Sequence, residues 1–241
     1  MSEWAPKRFW KQAEVTEAPD HFSVALDGRP VRTPAKATLT LPTRAMAQAV
    51  AGEWQAQGDR IDPLSMPVTR SANAAIDKVA HQHAEVAEML AAYGDSDLLC
   101  YRADSPQELI QREAEAWDPY LDWADATFGA RLEPRQGIMH APQDAAALDR
   151  LRAPVHAMTA FQLAAFHDLV SLSGSLVLAF ACVHNLTGPE EIWQVSRVDE
   201  LYQAELWGAD EEAEDTANRK KTAFLHAHLF FSLATPQGLP G

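Results

Sequence analysis

The chain has 241 residues, of which 47% are hydrophobic and 22% charged, a composition that is typical of a globular protein and excludes intrinsic disorder. Its 34 acidic residues outnumber the 20 basic ones and give a formal net charge of −14. So acidic a chain repels phosphate backbones and anionic lipids. We therefore expect no nucleic-acid partner. A protein with a basic surface is the kind of partner that this charge favours.

Cysteine usage and hydropathy indicate a soluble protein of a reducing compartment. Cys100 and Cys182 are the only cysteines, too few for a disulfide framework or for a zinc site of cysteines alone, which is typical of a reducing environment. The longest apolar run, 176–183, is far shorter than the roughly 20 residues of a membrane span. Residues 1–10 carry no apolar signal core. We expect a soluble protein of the bacterial cytoplasm without stable membrane insertion, monomeric when free.

The first 42 residues are predicted to form short strands. The Asp27-Gly28 pair indicates a hairpin turn, because both residues tolerate positive φ. Pro30 and Pro34 favour an edge position. The predicted strands, rich in aromatic and β-branched residues, are 9–15, 22–26 and 38–41.

Helical patterns dominate the rest of the chain. A first helix begins after its N-cap, Thr43, and ends at Gly58, and a proline-containing connector over 61–67 marks a domain boundary. We therefore predict an α+β fold with a small strand-rich domain over 1–68 and a larger helical domain over 69–241. Its predicted helices are 71–93, 105–128, 143–152, 158–171, 173–184, 189–207 and 211–233.

Motifs of catalysis are missing from the sequence. It contains neither nucleotide-binding glycine fingerprint and no G-x-S-x-G elbow. His81/His83 and His226/His228 are i,i+2 pairs, which lie about 200° apart on a helix and cannot share a metal ion. The adjacent His167 and Asp168 are the remaining candidates for a base and its orienting carboxylate. We therefore expect no metal and no cofactor.

The segment 193–207 carries a pattern with two interpretations. Trp193, Glu200 and Trp207 are spaced by seven, only about 20° apart around a helix axis, with Arg197 one turn from Glu200. The tryptophans are either core residues, with Glu200 held by Arg197, or part of a docking face, because Trp and Arg are concentrated in binding hot spots. The acidic run 210–215 that follows is typical of a solvated helix start.

Eight short motifs occur in the order found in one known family. They are Leu26-Asp-Gly-Arg-Pro-Val-Arg-Thr-Pro34, Glu53-Trp54 with Gln57, Ile61-Asp-Pro with Met66-Pro67, Asp97-Leu-Leu-Cys-Tyr-Arg102, Trp117-Asp118-Pro119 with Trp123, Gly137-Ile-Met139, Ser173-Gly-Ser-Leu-Val-Leu-Ala179, and Asp199-Glu200 with Gln203 and Trp207-Gly208. From about residue 8 to 233 the chain closely resembles the F1-ATPase assembly chaperones that act on the α subunit.

The resemblance implies a chaperone of α-proteobacteria and, for eukaryotic relatives, of the mitochondrial matrix. Such a protein is not an enzyme: it holds unassembled F1 α subunit and shields the surface that later contacts β. The implied fold is a small α+β domain followed by an orthogonal helical bundle. Glu200 is the implied functional position.

The last motif and its surroundings supply the predicted partner-binding residues, and other motifs supply structural ones. The partner-binding set is Trp193, Arg197, Asp199, Glu200, Gln203 and Trp207. The structural set is Trp54, as a folding determinant, with Trp117, Asp118 and Pro119. The chain departs from the family pattern at Glu113, where glutamine is expected, and over 71–77, which is reduced to small residues.

Two other functions remain as alternatives. A small-molecule enzyme would use His167, Asp168 or the acids of 210–215, and it requires a pocket in which these side chains converge. A constitutive structural subunit of a respiratory complex would instead stay permanently associated with its partners.

Overall fold

A computed structural model describes residues 6–137, 139–208 and 210–236. The described chain has a three-stranded sheet near its start, a two-stranded sheet formed within residues 101–136, and helices over most of the remainder, and this confirms the predicted α+β class. It divides into two compact units. The first consists of the chain up to His83 with Thr159–Ala165 and the segment from Leu229, and the second of Ala84–Met158 with Phe166–His228. The division at residue 68 stays a prediction.

The first unit contains a three-stranded antiparallel sheet in the order β1-β2-β3. The strands are β1 (Ala13–Glu17), β2 (Phe22–Leu26) and β3 (Arg29–Pro30), with Val15 opposite Val24. Asp27 and Gly28 take positive φ, 46° and 78°, which confirms the predicted hairpin.

Two strand predictions were wrong in extent. Residues 9–12 do not pair, because Lys11 and Gln12 donate their backbone N–H groups to the Asp27 carboxylate, so the strand begins at Ala13. Residues 38–41 form isolated bridges rather than a strand. Pro34 has no N–H to donate and Lys36 takes a φ of 68°, so the backbone turns here.

Helix α1 (Arg44–Gln55) covers this sheet and completes its core. Thr43 caps it as predicted, with its hydroxyl oxygen accepting from the Met46 N–H at 3.1 Å. Trp54 lies against the core and meets the Trp10 ring edge-on at 5.2 Å between centroids. The central core side chains are Val24, Leu39, Leu41, Met46 and Val50.

A carboxylate joins α1 to α2 (Pro67–Asp77). Glu53 accepts from the backbone N–H groups of Val68 and Thr69 at 2.7 and 2.8 Å, and from the Thr69 hydroxyl at 2.7 Å. It thereby satisfies amides at the start of α2 that have no partner inside the helix. Two motifs of the sequence, Glu53-Trp54 and Met66-Pro67, therefore meet in one capping arrangement.

Helices make up most of the chain after α1. The predicted helix 71–93 is wrong as one element: α2 ends at Asp77, Val79–His81 form a 3₁₀ turn, and α3 covers His83–Ala91, because Lys78 and Gln82 leave helical geometry. Strands β4 (Tyr101–Arg102) and β5 (Arg135–Gln136) pair in parallel. The remaining helices are α4 (Gln107–Phe128), α5 (Ala145–His156), α6 (Ala160–Ser173), α7 (Leu176–Val183), α8 (Pro189–Val195), α9 (Val198–Trp207) and α10 (Glu211–Ala234).

Helix α7 is apolar and buried, and two polar side chains hold its first turn. Ser175 caps it, with its hydroxyl oxygen accepting from the Leu178 N–H at 3.0 Å. The fully buried Asp97 carboxylate accepts from the Val177 N–H and the Leu99 N–H, both at 3.0 Å. The Asp97 and Ser173–Ala179 motifs are thus brought together in the interior of this unit.

Candidate functional site

The predicted helix 189–207 is interrupted, and the interruption changes the tryptophan pattern. Helix α8 ends at Val195 and α9 begins at Val198, because Arg197 leaves helical geometry and the Ser196 hydroxyl donates to the Trp193 carbonyl at 2.7 Å. Trp193 and Trp207 therefore do not share one continuous helix face. Trp193 is 3% exposed and packs on Phe224, whereas Trp207 is 79% exposed.

Arg197 and Glu200 form an ion pair beside Trp193. Their side chains meet at 2.7 Å, and the Glu200 side chain remains 50% exposed. The Arg197 guanidinium lies over the Trp193 ring at 5.6 Å from its centroid. The ion pair agrees with the interpretation in which Arg197 holds Glu200, whereas the exposed Trp207 does not agree with that interpretation's core tryptophans.

A groove of about 460 Å³ runs along this ion pair. One wall is formed by α8, α9 and Arg197, and the other by the beginning of α10. We call it the α9 groove. Its lining includes Trp193, Arg197, Glu200, Leu201, Glu214 and Lys221.

The outer surface of α9 combines apolar side chains with acidic ones. Leu201, Leu206 and Trp207 are exposed. Between residues 189 and 215 the sequence has ten acidic residues and one basic residue, Arg197, so this stretch carries −9 of the net charge of −14. Such a surface attracts a basic segment that also has apolar side chains.

Helix α4 contacts both the end of α8 and α9. The Trp117 indole donates to the Val195 carbonyl at 2.8 Å, and Arg112 binds Glu205 at 2.6 Å while lying over the Tyr202 ring. The predicted structural residue Asp118 accepts from Arg102 at 2.7 Å. Pro119, of the same motif, lies inside α4.

The two other predicted partner-binding residues, Asp199 and Gln203, have different surroundings. Gln203 is exposed on α9. Asp199 is half-buried in the first turn of α9, and its carboxyl lies within hydrogen-bonding reach of Glu113. Burial raises the pKa of Glu113 to about 7, and the adjacent Asp199 carboxyl contributes to this rise.

Sequence reasoning missed three features of the site. It did not identify Leu201 or Leu206, and it noted Glu113 only as a departure from a family pattern. The acidic run 210–215 does form an exposed helix start, as predicted, but the pattern did not show that Asp210 and Glu214 line the groove. Two leucines, at 201 and 206, lie among acidic residues in the sequence, and this pattern could have pointed to an apolar contact surface. It does not indicate which side of the helix is buried.

The alternative catalytic pair is a local ion pair. His167 Nδ1 lies 3.0 Å from Asp168 Oδ1 on α6, both side chains are about half exposed, and the hydrogen bond to Asp168 raises the pKa of His167. In the described ranges, no group of three or more His, Cys, Asp or Glu side chains is arranged to hold a metal ion. None of the described helices combines the length and hydropathy that crossing a bilayer requires.

Comparisons with known proteins place this fold. The sequence profile of the family described as ATP12 chaperone protein matches residues 7–125. The crystal structure of Atp12 from Paracoccus denitrificans is 46% identical, with a TM-score of 0.93, covering 95% of this chain and 98% of that one. A mutant of P. denitrificans Atp12p has the same TM-score and coverage at 45% identity. The mitochondrial protein atp12 of Schizosaccharomyces pombe is 25% identical over 229 residues, 88% of this chain and 77% of the relative.

The class of protein that this fold and these relatives define is a chaperone. Its relatives come from bacteria and from mitochondria. The chain belongs to the ATP12 chaperone family, which makes it a chaperone of F1-ATPase assembly.

Proposed function

We propose that this protein binds the unassembled α subunit of F1 and prevents its aggregation until α pairs with β. The observation that carries the proposal is the α9 groove, with its exposed Glu200 and the neighbouring apolar Trp207. It acts by reversible coverage rather than by catalysis, as a monomer when free, in the bacterial cytoplasm.

The chemistry of the α9 groove suits a client of this kind. An unassembled subunit exposes apolar interface that otherwise aggregates. The exposed Trp207, Leu201 and Leu206 offer apolar contact area, and the surrounding acids keep the complex soluble and favour a basic client surface. We assign partner contact to Glu200, Trp207 and Gln203, with Arg197, Trp193 and Asp199 holding that surface in place.

The first test is co-expression of this chain with its cognate F1 α subunit in the absence of β, followed by fractionation. We expect α to move from the pellet into a soluble complex. Glu200→Lys should abolish the shift, because it reverses a charge in the groove and creates repulsion with Arg197.

The matched control is Glu14→Lys, the same charge reversal at an exposed position of β1 in the other unit. It should leave capture of α unchanged. Circular dichroism must show that both variants are folded. Equal capture by the wild type and a folded Glu200→Lys variant would contradict the assigned site, and insoluble α with the wild type would contradict the function.

A further inference from the structure

Between α4 and α9 lie two carboxyl groups that the proposed client contacts do not use. Glu113, in α4, is 1% exposed, and its carboxylate oxygens accept from the Ala103 N–H at 2.9 and 3.2 Å. The Asp199 carboxyl lies against it from the first turn of α9. Among the described residues, the buried Oδ1 of Asp199 has no hydrogen-bond donor.

Two carboxylates in contact cannot both be ionised without strong repulsion, whereas a single proton between them forms a hydrogen bond. That proton would also supply the donor that Asp199 Oδ1 lacks. Buried acceptors are costly to leave without a donor, so the protonated pair is the arrangement that satisfies both side chains.

The charged groups around the pair have other partners. Arg102, of β4, is the cation that acts on Glu113, and it binds Asp118 and the Leu99 carbonyl. Arg112, the neighbour of Glu113 in α4, binds Glu108 and Glu205. In α9, Glu200 pairs with Arg197, and Tyr202 lies under the Arg112 guanidinium.

Burial first, and then the contact with Asp199, outweigh the opposing effects of the Ala103 N–H and Arg102, so the pKa of Glu113 is about 7. Near neutral pH the arginines around the pair therefore do not stabilise two ionised carboxylates well enough to displace the proton that they share.

We propose that Glu113 and Asp199 are positioning residues that share one proton, and that this proton holds the first turn of α9 on α4 and so keeps Glu200 in place in the groove. Only the last part, the consequence for client binding, rests on the proposed function. The hold on α9 is a property of this chain alone.

The direction of the pH effect follows from the raised pKa. The folded state binds the proton more tightly than the unfolded state, so its contribution is complete below the ordinary glutamate pKa and is lost as pH rises through about 7. Above that pH the two adjacent carboxylates repel each other, and the first turn of α9 should open more often.

The test is amide hydrogen exchange of α9 at pH 6 and pH 8, corrected for the intrinsic pH dependence of exchange. The reporters are the backbone amides of Leu201, Tyr202 and Gln203, which donate to carbonyls of Arg197 and the first turn of α9. In the wild type we expect their protection to fall by up to about tenfold between these pH values. Glu113→Gln should respond less than twofold, because its amide nitrogen donates to Asp199 permanently and its oxygen still accepts from Ala103.

The matched control is Glu115→Gln, an exposed glutamate two residues along α4 that binds Gln111. It should keep the wild-type response. A folded Glu113→Gln variant with the wild-type response would overturn the proposal. Asp199→Asn provides a second variant, since its amide donates to Glu113 and should also remove the response.

A direct measurement on the wild type does not depend on any variant. With ¹³C-labelled glutamate, one side-chain carboxyl resonance should titrate near pH 7, and the absence of such a resonance would overturn the proposal. Capture of α should weaken from pH 6 to pH 8 in parallel with the exchange. If exchange behaves as expected but α is captured at neither pH, the proposed function fails and the shared proton stands.

Discussion

At the scale of single residues, Trp193 and Trp207 show how one side-chain type serves two purposes in adjacent elements. Trp193 is packed against Phe224, and its ring also supports the guanidinium of Arg197. Trp207 ends α9 and projects most of its surface into solvent. A large exposed indole contributes little to folding, but it offers a large contact area to a partner.

We predict opposite consequences for truncation of these two tryptophans. Trp193→Ala should lower the free energy of unfolding by about 3–5 kcal/mol, because it removes a buried aromatic side chain and leaves a cavity. Trp207→Ala should change it by less than about 0.5 kcal/mol, as is usual at the surface, but reduce capture of the F1 α subunit severalfold. Urea denaturation and the co-expression assay measure the two effects.

Each variant serves as the control for the other, because both remove an indole side chain and the two positions are only fourteen residues apart. Full capture of α by Trp207→Ala would show that the exposed end of α9 is not a contact surface. A marginal loss of stability in Trp193→Ala would contradict its place in the core.

At the scale of elements, the buried start of α7 depends on Asp97. This carboxylate accepts from backbone N–H groups of α7 and of its own turn, and the Ser175 hydroxyl also binds it. Nevertheless, desolvation is the stronger effect and raises the pKa of Asp97 to about 6. The interior of this unit therefore contains an acid whose titration changes stability.

We predict that Asp97→Asn alters the pH dependence of stability. Because the folded-state pKa is raised, the stabilising contribution of Asp97 is complete below its ordinary value and is lost as pH rises to about 6. Between pH 4 and 6 the unfolding free energy of the wild type should fall relative to that of the variant by about 1 kcal/mol per pH unit. Urea denaturation at a series of pH values measures this.

Asp168→Asn, at a half-exposed position in α6, is the control and should track the wild type over the pH 4–6 range. A constant difference between wild type and Asp97→Asn over the same range would show that Asp97 does not titrate there. Glu113 also titrates as pH rises through about 7, but it is present in both wild type and Asp97→Asn, so its effect cancels in the difference between them.

At the scale of the whole molecule, charge is distributed unevenly along the chain. The stretch from 189 to 215, which includes α8, α9 and the first turn of α10, has most of the net negative charge. Exposed charges act over about 10 Å at 0.1 M salt and over less at higher salt. Attraction of a basic client should therefore depend on ionic strength.

We predict that the suppression of α-subunit aggregation weakens with salt. In a light-scattering assay, the concentration of this protein that halves aggregation of diluted, unfolded α should rise several-fold between 50 and 300 mM NaCl, because screening slows encounter with the acidic surface. A net-charge-neutral client of similar size serves as the control. The prediction fails if α and the neutral client show the same salt dependence.

Local patterns in the sequence were sufficient for the fold class, the Asp27-Gly28 hairpin, the cap at Thr43 and most of the helices. These features depend on residues within a few positions of one another, so periodicity and turn chemistry identify them. The same patterns found Glu200 and Arg197 as a pair, because residues three apart on a helix are neighbours.

Only the tertiary structure decided which tryptophan is buried, where the chain breaks between α8 and α9, and which acids face each other. Trp193 packs on Phe224, Asp97 binds the start of α7, and Glu113 meets Asp199. The last two contacts join residues about 80 positions apart, and all three depend on how helices pack rather than on any local period. The sequence shows an aspartate or glutamate in the same way whether its side chain lies in solvent or in a core. Only the surroundings of the carboxyl group in the folded chain determine whether it keeps its proton.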